Sequence, residues 1–224
     1  MITFNMLGSQ GSGKGTQAKN LANHFGFILI EAGGSLRRIK ESGSEQGQEI
    51  ASYIDYGRRV TPEIISEVTR DAVRQVPRDK DILFEGFFRG LDELEAQRKV
   101  FAQLDLPLPV IIFLRLEDET ALSRLSKRRI CERCGSQAIV EAGSPSSCQQ
   151  CGGALIIRHD DRPEAIRERI NWYHRDTEPV IDWFRTHGQV IDIDAAPSID
   201  IVSKEAIEKI DAYLASIGKP HDHN

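Results

Sequence analysis

A glycine-rich stretch at residues 8–16, GSQGSGKGT, has the composition of a loop that binds phosphate. Its small residues let successive backbone N–H groups point inward at phosphate oxygens, and a helix that begins within it adds the partial positive charge of its N-terminus. Lys14 can reach the terminal phosphates of a nucleotide as a mobile positive charge. The stretch therefore predicts a site for the phosphates of a nucleoside triphosphate, formed by Gly11, Ser12, Gly13, Lys14, Gly15 and Thr16.

The stretch departs in one respect from the general triphosphate pattern, which places Ser or Thr directly after the lysine. Here Gly15 intervenes, and the hydroxyl group is on Thr16. Two alternative interpretations nevertheless explain the stretch less well. A dinucleotide-binding fingerprint would place its third glycine where Thr16 stands. A flexible glycine turn without a ligand would need neither Lys14 nor the strand and helix patterns on either side.

All four cysteines lie in a second candidate site, as two Cys-x-x-Cys pairs. Cys131 and Cys134 form the first pair, Cys148 and Cys151 form the second, and residues 135–147 separate them. Four thiolates in this spacing are typical of a tetrahedral structural zinc site with no open coordination position. Iron remains an alternative metal, and two disulfides remain an alternative that a reducing compartment disfavours. The cluster predicts a metal-stabilised subdomain without a catalytic role.

The composition excludes several classes of function. The 224 residues carry a formal net charge of −5 and are 40% hydrophobic, which suits a globular protein rather than a general polyanion binder. No apolar run approaches the ~18 residues that a membrane helix needs, and residues 1–7 lack the basic start of a signal peptide. We expect a monomeric, cytoplasmic protein that binds neither membranes nor nucleic acid.

A zinc ribbon that binds nucleic acid is the rival class of function, because the basic run Lys127, Arg128 and Arg129 adjoins the cysteines. However, the ribbon contains Glu132 and Glu141 and lacks the aromatic residues on which bases could stack. Salt-dependent binding of nucleic acid without turnover would favour this class.

Strand and helix patterns alternate along the chain. Apolar runs predict five strands, near residues 2–7, 27–30, 81–85, 109–116 and 189–194. Amphipathic segments between them predict helices, and Pro179 predicts a break in the helical stretch 163–186. The alternation predicts a parallel sheet covered by helices on both faces. Residues 128–158 depart from this pattern with glycines and cysteines, which indicates an inserted subdomain.

The order of several further segments resembles the adenylate kinase family of nucleoside monophosphate kinases, whose phosphate loop also ends in GKGT. These segments are Leu36-Arg37, Gly57–Val60, Glu85–Arg89, the pair Arg124 and Arg128, Arg158–Asp161, and Arg167–Arg169. The resemblance covers almost the whole chain, and the cysteine pairs match the zinc-binding type of lid in that family. The order and spacing of the motifs together are far more specific than any one of them.

The resemblance implies a P-loop nucleoside-triphosphate-binding fold with a five-stranded parallel sheet, helices on both faces and an inserted zinc-binding lid. The core would comprise residues 1–30, 61–127 and 161–224, the acceptor-nucleotide segment residues 31–60, and the lid residues 128–160. The implied reaction is the reversible transfer of the terminal phosphoryl group of ATP, with Mg²⁺, to a nucleoside monophosphate, with AMP expected first. An enzyme that prefers GMP, CMP or another acceptor is one alternative, and a catalytically weak nucleotide-binding homologue is another.

The resemblance also implies roles for individual residues. Such a transfer depends on positioning and charge stabilisation, which suits arginine because its guanidinium binds phosphate through two hydrogen bonds. The implied catalytic residues are Lys14, Arg124, Arg158 and Arg169. Arg124 and Arg128 join the ATP site. The implied acceptor site consists of Gly33, Arg37, Arg58, Val60, Gly86, Arg89, Glu93, Arg158 and Arg169. The candidates to orient Mg²⁺ through its water ligands are Glu85 and Asp160, whereas Arg162 and Arg167 are expected to be surface residues.

The acceptor site departs from the family pattern at several positions. The Ser-Thr-Gly-Asp of the family becomes Glu-Ala-Gly-Gly at residues 31–34, and Glu85 replaces an aspartate. Phe88 replaces a proline, so we expect the loop that carries Arg89 to follow a different path or to store strain. Glu93 stands where the family has a glutamine that contacts adenine.

The glutamate at position 93 predicts a change in acceptor preference. An ionised carboxylate only accepts hydrogen bonds, which suits the adjacent N1–H and N2–H donors of guanine better than the edge of adenine. We expect weaker use of AMP than in a relative with glutamine, with GMP or CMP as side substrates. In the alternative interpretation, Asp92 and Glu93 are acids in the first turn of a helix, where the helix dipole favours them.

Overall fold

The computed structural model describes residues 1–140, 147–157 and 161–220. Its central sheet consists of β1 (Thr3–Gly8), β2 (Ile28–Glu31), β3 (Ile82–Glu85), β4 (Val110–Arg115) and β8 (Val190–Asp194). The strand order is β2-β3-β1-β4-β8, and every neighbouring pair is parallel. The predicted fold class and the predicted strands of the parallel sheet are therefore confirmed.

Helices cover both faces of the central sheet. Their bounds are α1 (Lys14–Phe25), α2 (Ala32–Glu41), α3 (Glu45–Ile54), α4 (Pro62–Arg74), α5 (Leu91–Gln103), α6 (Asp118–Lys127), α7 (Pro163–Trp172), α8 (Glu178–His187) and α9 (Ile199–Ser216). Local sequence explains where α4 begins, because the Thr61 hydroxyl accepts a hydrogen bond from the Ile64 N–H at 3.4 Å. Pro62 takes the first helical position, where its missing N–H leaves no bond unmade.

The strands supply two separate layers of core. In β3, Ile82 and Phe84 pack with α4, α5 and α8, whereas Leu83 packs with α1 and α9 on the opposite face. This division follows from the pleat of a strand, in which successive side chains point to opposite faces. Because helices bury both faces, the carboxyl-terminal edge of the sheet is where loops and ligands can meet.

The helical stretch after the inserted subdomain is interrupted one turn earlier than predicted. A π-helical turn, Tyr173–Thr177, follows α7, and α8 begins at Glu178. Pro179 lies in the first turn of α8, where it needs no hydrogen-bond partner, so it does not break the helix there. π turns are frequent at functional sites, and this one carries Asp176 and Thr177, which contact the loops of the cleft described below.

A second, antiparallel sheet interrupts the chain between α6 and α7. Its central strand β5 (Arg128–Cys131) pairs with β6 (Gln137–Ile139) on one side and β7 (Leu155–Ile156) on the other. Within the described ranges, no strand pairing joins this small sheet to the central one. Its function as a lid, like the predicted division into three segments, stays a prediction. Among the helices that the structure describes, none is long and apolar enough to cross a membrane.

Candidate active site

A cleft of about 1320 Å³ opens at the carboxyl-terminal edge of the central sheet. Parallel α/β sheets bind their ligands at this edge. The predicted site residues that line it are Gly11, Ser12, Gly13, Lys14, Gly15, Thr16, Gly33, Arg37, Arg58, Val60, Glu85, Gly86, Arg89, Glu93, Arg124, Arg128 and Arg169. Two other predicted members, Arg158 and Asp160, lie outside the described residues. Arg162, expected as a surface residue, is exposed but also lines the cleft.

The phosphate loop connects β1 to α1. Gly13 directly precedes α1 with a φ of 87°, a left-handed conformation that glycine adopts without steric cost. The Lys14 ammonium group folds back over the loop and donates hydrogen bonds to the carbonyl oxygens of Gly8 and Ser9, each at 2.8 Å. The first turn of α1 contains no acidic side chain, so its N-terminal partial charge is available to an anion.

Positive charge converges on Lys14. Burial of its ammonium group is the main cause that lowers the Lys14 pKa from 10.5 to about 7, and the guanidinium groups of Arg89, Arg169 and Arg128 lower it further. The carboxylate of Glu85 acts in the opposite direction. Burial and like charges both disfavour the charged form of an amine. A phosphate group that entered this cleft would relieve the repulsion and favour protonated Lys14.

Asp161 joins two of these arginines. Its buried carboxylate accepts hydrogen bonds from Arg128 Nε at 2.7 Å and from Arg169 Nη1 at 3.2 Å, and Arg128 donates a second bond through Nη2. The pairing holds both guanidinium groups at the wall of the cleft and connects the start of β5 to α7. No separate role for Asp161 follows from the sequence, because nothing in its local sequence distinguishes it from its acidic neighbour Asp160.

Arg124 has a different set of neighbours from the arginines around Lys14. Its guanidinium donates to the carbonyl oxygens of Ala195 and Ala196, both at 2.9 Å, and of Pro197 at 3.4 Å. These carbonyls belong to the connection between β8 and α9. The geometry therefore places Arg124 beside that connection, and its role at the transferred phosphate stays a prediction.

The predicted acceptor residues lie around α2, α3 and the segment after β3. Arg37 packs over Gly33, where an added Cβ would lie 3.2 Å from Arg37 Nη1. The guanidinium carbon of Arg58 lies 5.4 Å from the centroid of the Tyr56 ring, at the distance of a cation–π contact. Val60 packs against the core layer below the cleft.

Trp172, at the end of α7, is a cleft residue that sequence reasoning missed. Its indole Nε1 donates to the carbonyl oxygen of Gly57 at 2.9 Å, and Arg89 Cζ lies 5.8 Å from its ring centroid. The buried indole thus links the acceptor segment to the loop after β3. The sequence pattern of an amphipathic helix does not distinguish a tryptophan beside the cleft from one in the core. Only the packing of α7 shows that Trp172 lies beside the cleft.

The four cysteine sulfurs come together beside the small sheet. The Sγ atoms of Cys131, Cys134, Cys148 and Cys151 all lie within 4.8 Å of one another, with 3.4 Å from Cys131 to Cys151 and 3.7 Å from Cys134 to Cys148. Tetrahedral zinc with bonds of about 2.3 Å separates its sulfurs by roughly 3.8 Å. The Ser136 hydroxyl lies 3.1 Å from Cys148 Sγ and is the main cause that lowers the Cys148 pKa to about 6. The four-cysteine cluster is consistent with zinc.

Comparison with known proteins agrees with this geometry, since a family model for adenylate kinase matches residues 6–189. The chain belongs to the adenylate kinase family. The adenylate kinase of Archaeoglobus fulgidus is 33% identical over 214 residues, which cover 94% of this chain and 97% of the relative. That of Caldicellulosiruptor saccharolyticus is 33% identical over 208 residues, covering 92% and 97%. That of Thermodesulfovibrio yellowstonii is 34% identical over 198 residues, covering 87% and 92%.

Membership of the adenylate kinase family identifies the chain as a phosphotransferase and a nucleoside monophosphate kinase. The resemblance that the motif order indicated is thereby confirmed. The departures from the family pattern can now be placed in the fold.

The first departure is Phe88, which replaces the proline of the adenylate kinase family. It has a φ of 59°, in the left-handed region that residues with a side chain rarely adopt. Its ring is fully buried and packs edge-on against Phe101 and Phe184, with centroid distances of 5.4 and 5.8 Å. The loop that carries Arg89 therefore holds a strained backbone conformation, as we expected from the loss of proline, and the buried ring anchors it.

The second departure is Glu93, which replaces the glutamine of the adenylate kinase family. Its carboxylate accepts hydrogen bonds from the backbone N–H groups of Phe88 at 2.6 Å and Arg89 at 3.2 Å. Burial is the main cause that raises the Glu93 pKa, against the opposing charges of Arg59 and Arg89. Glu93 also lies in the first turn of α5, beside Asp92, as the alternative interpretation required. Contact between Glu93 and an acceptor base stays a prediction.

Proposed function

We propose that this chain catalyses the reversible transfer of the terminal phosphoryl group of ATP to AMP, which yields two molecules of ADP. The observation that carries the proposal is the convergence of Lys14, Arg89, Arg128 and Arg169 at one cleft beside a phosphate loop. Phosphoryl transfer needs a site that positions two nucleotides and stabilises the charge on the transferred group, without a protein nucleophile. The relatives named adenylate kinase support AMP as the acceptor.

The proposed roles follow from where each group lies. The N–H groups of the phosphate loop and Lys14 bind the phosphates of ATP, and Arg89 binds the phosphate of AMP together with Arg37. Arg128 and Arg169 line the same cleft, and in this proposal they stabilise charge on the transferred group. The resemblance adds Arg124 and Arg158 to this set, in the roles given above.

Glu85 fits the requirements of a residue that holds Mg²⁺ through water. It ends β3, lines the cleft and acts electrostatically on Lys14. Mg²⁺ prefers oxygen donors and keeps several of its water ligands, so one carboxylate at this position can bind those waters, with Asp160 as the second proposed residue. The ion would neutralise charge on the phosphates of ATP.

Two segments would close over the substrates. Residues 31–60 would cover the acceptor and residues 128–160 would cover ATP, while residues 1–30, 61–127 and 161–224 would form the core. Closure over the cleft would exclude water, so that ATP is not simply hydrolysed. The separate hydrogen bonding of the small sheet supports its movement as a unit.

A panel of acceptors tests the proposed reaction. Purified protein with ATP and Mg²⁺ is assayed separately with AMP, GMP, CMP, UMP and dTMP, and AMP is expected to give the highest kcat/KM. A higher kcat/KM for GMP or CMP would contradict the AMP assignment and identify a nucleoside monophosphate kinase of different specificity. Binding of ATP without phosphorylation of any acceptor would favour a nucleotide-binding sensor.

We also propose that zinc occupies the four-cysteine cluster and holds the small sheet in shape. Each pair of cysteines forms a tight turn, with the Gly135 N–H donating to the Cys131 carbonyl at 2.9 Å and the Gly152 N–H donating to the Cys148 carbonyl at 2.8 Å. These turns bring the thiols together without help from a large core. A metal bound by four thiolates would supply the missing stability.

Protein purified without chelator is expected to contain about one zinc per chain, as a four-thiolate site binds a single ion. Removal of the metal is expected to lower Tm by roughly 5–10 °C, the shift for a loss of about 2–3 kcal/mol in a chain of this size. Elemental analysis and thermal unfolding measure both quantities, and Cys134→Ser is the control in which chelator should add little further shift. Metal-free protein in which all four thiols titrate freely would exclude the metal site. Detection of iron by elemental analysis would identify iron, and not zinc, as the bound metal.

A further inference from the structure

The loop after β3, residues 86–89, is held by hydrogen bonds to its backbone from three separate elements. Asn5 Nδ2 donates to the Phe87 carbonyl at 3.0 Å, and the Thr177 hydroxyl donates to the Arg89 carbonyl at 2.8 Å. From α5, the Glu93 carboxylate accepts from the two successive N–H groups of Phe88 and Arg89. Arg89 therefore has its N–H and its carbonyl group bound by two different elements.

The carboxylate of Glu93 is committed on both of its oxygens. Oε1 accepts from the Phe88 N–H, and Oε2 accepts from the Arg89 N–H and lies 3.8 Å from Arg59 Nη2. Glu93 is 5% exposed, and a buried carboxylate needs such partners to remain in place. Both oxygens therefore already hold the backbone of the loop.

Arg59 contributes most to compensating the buried charge of Glu93, and Arg89 is second. Its guanidinium is shared by three carboxylates, with 2.6 Å to Asp92, 3.3 Å to Asp176 and 3.8 Å to Glu93. Gly90 makes this approach feasible, because a Cβ there would lie 2.3 Å from Arg59 Nη2. Arg59 thus connects the acceptor segment, the start of α5 and the π-helical turn.

The strain at Phe88 explains why the loop needs this support. A left-handed backbone conformation is unfavourable for a residue with a side chain, and it persists only where its surroundings hold it. The buried ring of Phe88 anchors the side chain, and the Glu93 carboxylate anchors the two peptide groups that flank the Phe88 Cα. Loss of either anchor would release the loop and move Arg89.

We propose that Glu93 is a positioning residue, which sets the place of Arg89 through the loop backbone with Arg59 and Asp176 as its support, and that it does not contact the acceptor base. The inference rests on the proposed function, in which Arg89 binds the phosphate of the acceptor. Since every nucleoside monophosphate carries that phosphate, a change at Glu93 affects all acceptors by the same factor. A residue that contacted the base would affect AMP and GMP differently.

The test is Glu93→Gln, assayed with AMP and with GMP as acceptors. Glutamine has one acceptor oxygen and no charge, so it loses one N–H bond and the pairing with Arg59. KM is expected to rise roughly tenfold for both acceptors, with KM for ATP unchanged. Glu95→Gln, an exposed acid of the same helix that pairs with Arg98, is the matched control. A change in the AMP to GMP ratio of kcat/KM above about threefold, or no change in either KM beyond about twofold, would overturn the proposal.

A measurement without substrates separates this proposal from the proposed function. The chain has two tryptophans, so Trp183→Phe leaves Trp172, which lies against Arg89, as the sole reporter. In that background, Glu93→Gln is expected to increase quenching of Trp172 by acrylamide about twofold relative to Glu95→Gln, as Arg89 moves away. Unchanged quenching overturns the positioning role even if no acceptor is phosphorylated. Should Glu93→Gln fail to fold, Arg59→Lys must raise both acceptor KM values by one factor, and unequal factors overturn the proposal.

Discussion

Replacement of Lys14 by Met is expected to lower kcat by about 10²–10³-fold, the effect of removing one preorganised charge partner from a transition state. The ammonium group lies over the phosphate loop at 2.8 Å from the Gly8 and Ser9 carbonyls, where the phosphates of ATP would meet it. Lys19→Met, on the exposed face of the same helix, is the control and should leave kcat unchanged. A loss in Lys14→Met smaller than about fivefold would exclude a catalytic role for Lys14.

The same substitution also tests the charge state of Lys14. With a pKa lowered to about 7, the side chain is mostly neutral at pH 8 in the substrate-free protein. Binding of ATP brings negative charge that raises this pKa, so binding takes up a proton at pH 8 and takes up little at pH 6. Calorimetry in buffers of different ionisation enthalpy measures the uptake. At pH 8, Lys14→Met should take up fewer protons than the original chain, and equal uptake in both proteins would contradict the assignment.

Substitution of Asp161 by Asn is expected to lower the free energy of unfolding by about 3 kcal/mol, because removal of one partner from a buried ion pair leaves the other charges uncompensated. The Asp161 side chain is 0% exposed, and Arg128 and Arg169 are 13% and 14% exposed. In a chain of this length such a loss lowers Tm by roughly 6–12 °C. Thermal and denaturant unfolding measure both quantities.

Bound nucleotide should partly restore the stability of Asp161→Asn. In the proposed site, the phosphates of ATP supply negative charge to Arg128 and Arg169, so saturating ATP is expected to raise Tm more in the variant than in the original chain. Asp71→Asn removes a carboxylate that is 74% exposed and pairs with Arg74 on the surface, and should change stability by less than about 0.5 kcal/mol. A similar small change in Asp161→Asn would show that the buried pairing adds no stability.

The features that sequence analysis predicted correctly are those with short-range signals. The five strands are apolar runs between turn residues, and the phosphate loop is a contiguous stretch between a strand and a helix. The N-cap residue Thr61 and the following Pro62 mark the start of α4. The cysteine pairs carry their own spacing, and the sulfurs do come together. Each of these signals spans a few residues, so local geometry alone makes it interpretable.

The partners of charged residues were not predictable in this way. Asp161 forms a hydrogen bond with Arg128, 33 residues earlier in the chain. Thr177 forms a hydrogen bond with Arg89, 88 residues earlier in the chain. A carboxylate and a guanidinium have the same local sequence signature whether they are solvated or paired, because the decision depends on which elements pack together. The π-helical turn is a further example, since Pro179 suggested a break one turn too late and the turn that presents Asp176 and Thr177 has no signal of its own.

The sequence by itself determined the class of the protein, because the order of its phosphate-binding and arginine-containing motifs is a property of the chain. Tertiary structure decided which groups the exceptional residues contact. Glu93 has the sequence position of a residue that contacts the base, yet its oxygens are bound to the backbone of Phe88 and Arg89 and lie beside Arg59. The physical reason is that a buried carboxylate takes the nearest donors, and those donors are set by the path of a strained loop and by an arginine 34 positions earlier in the chain.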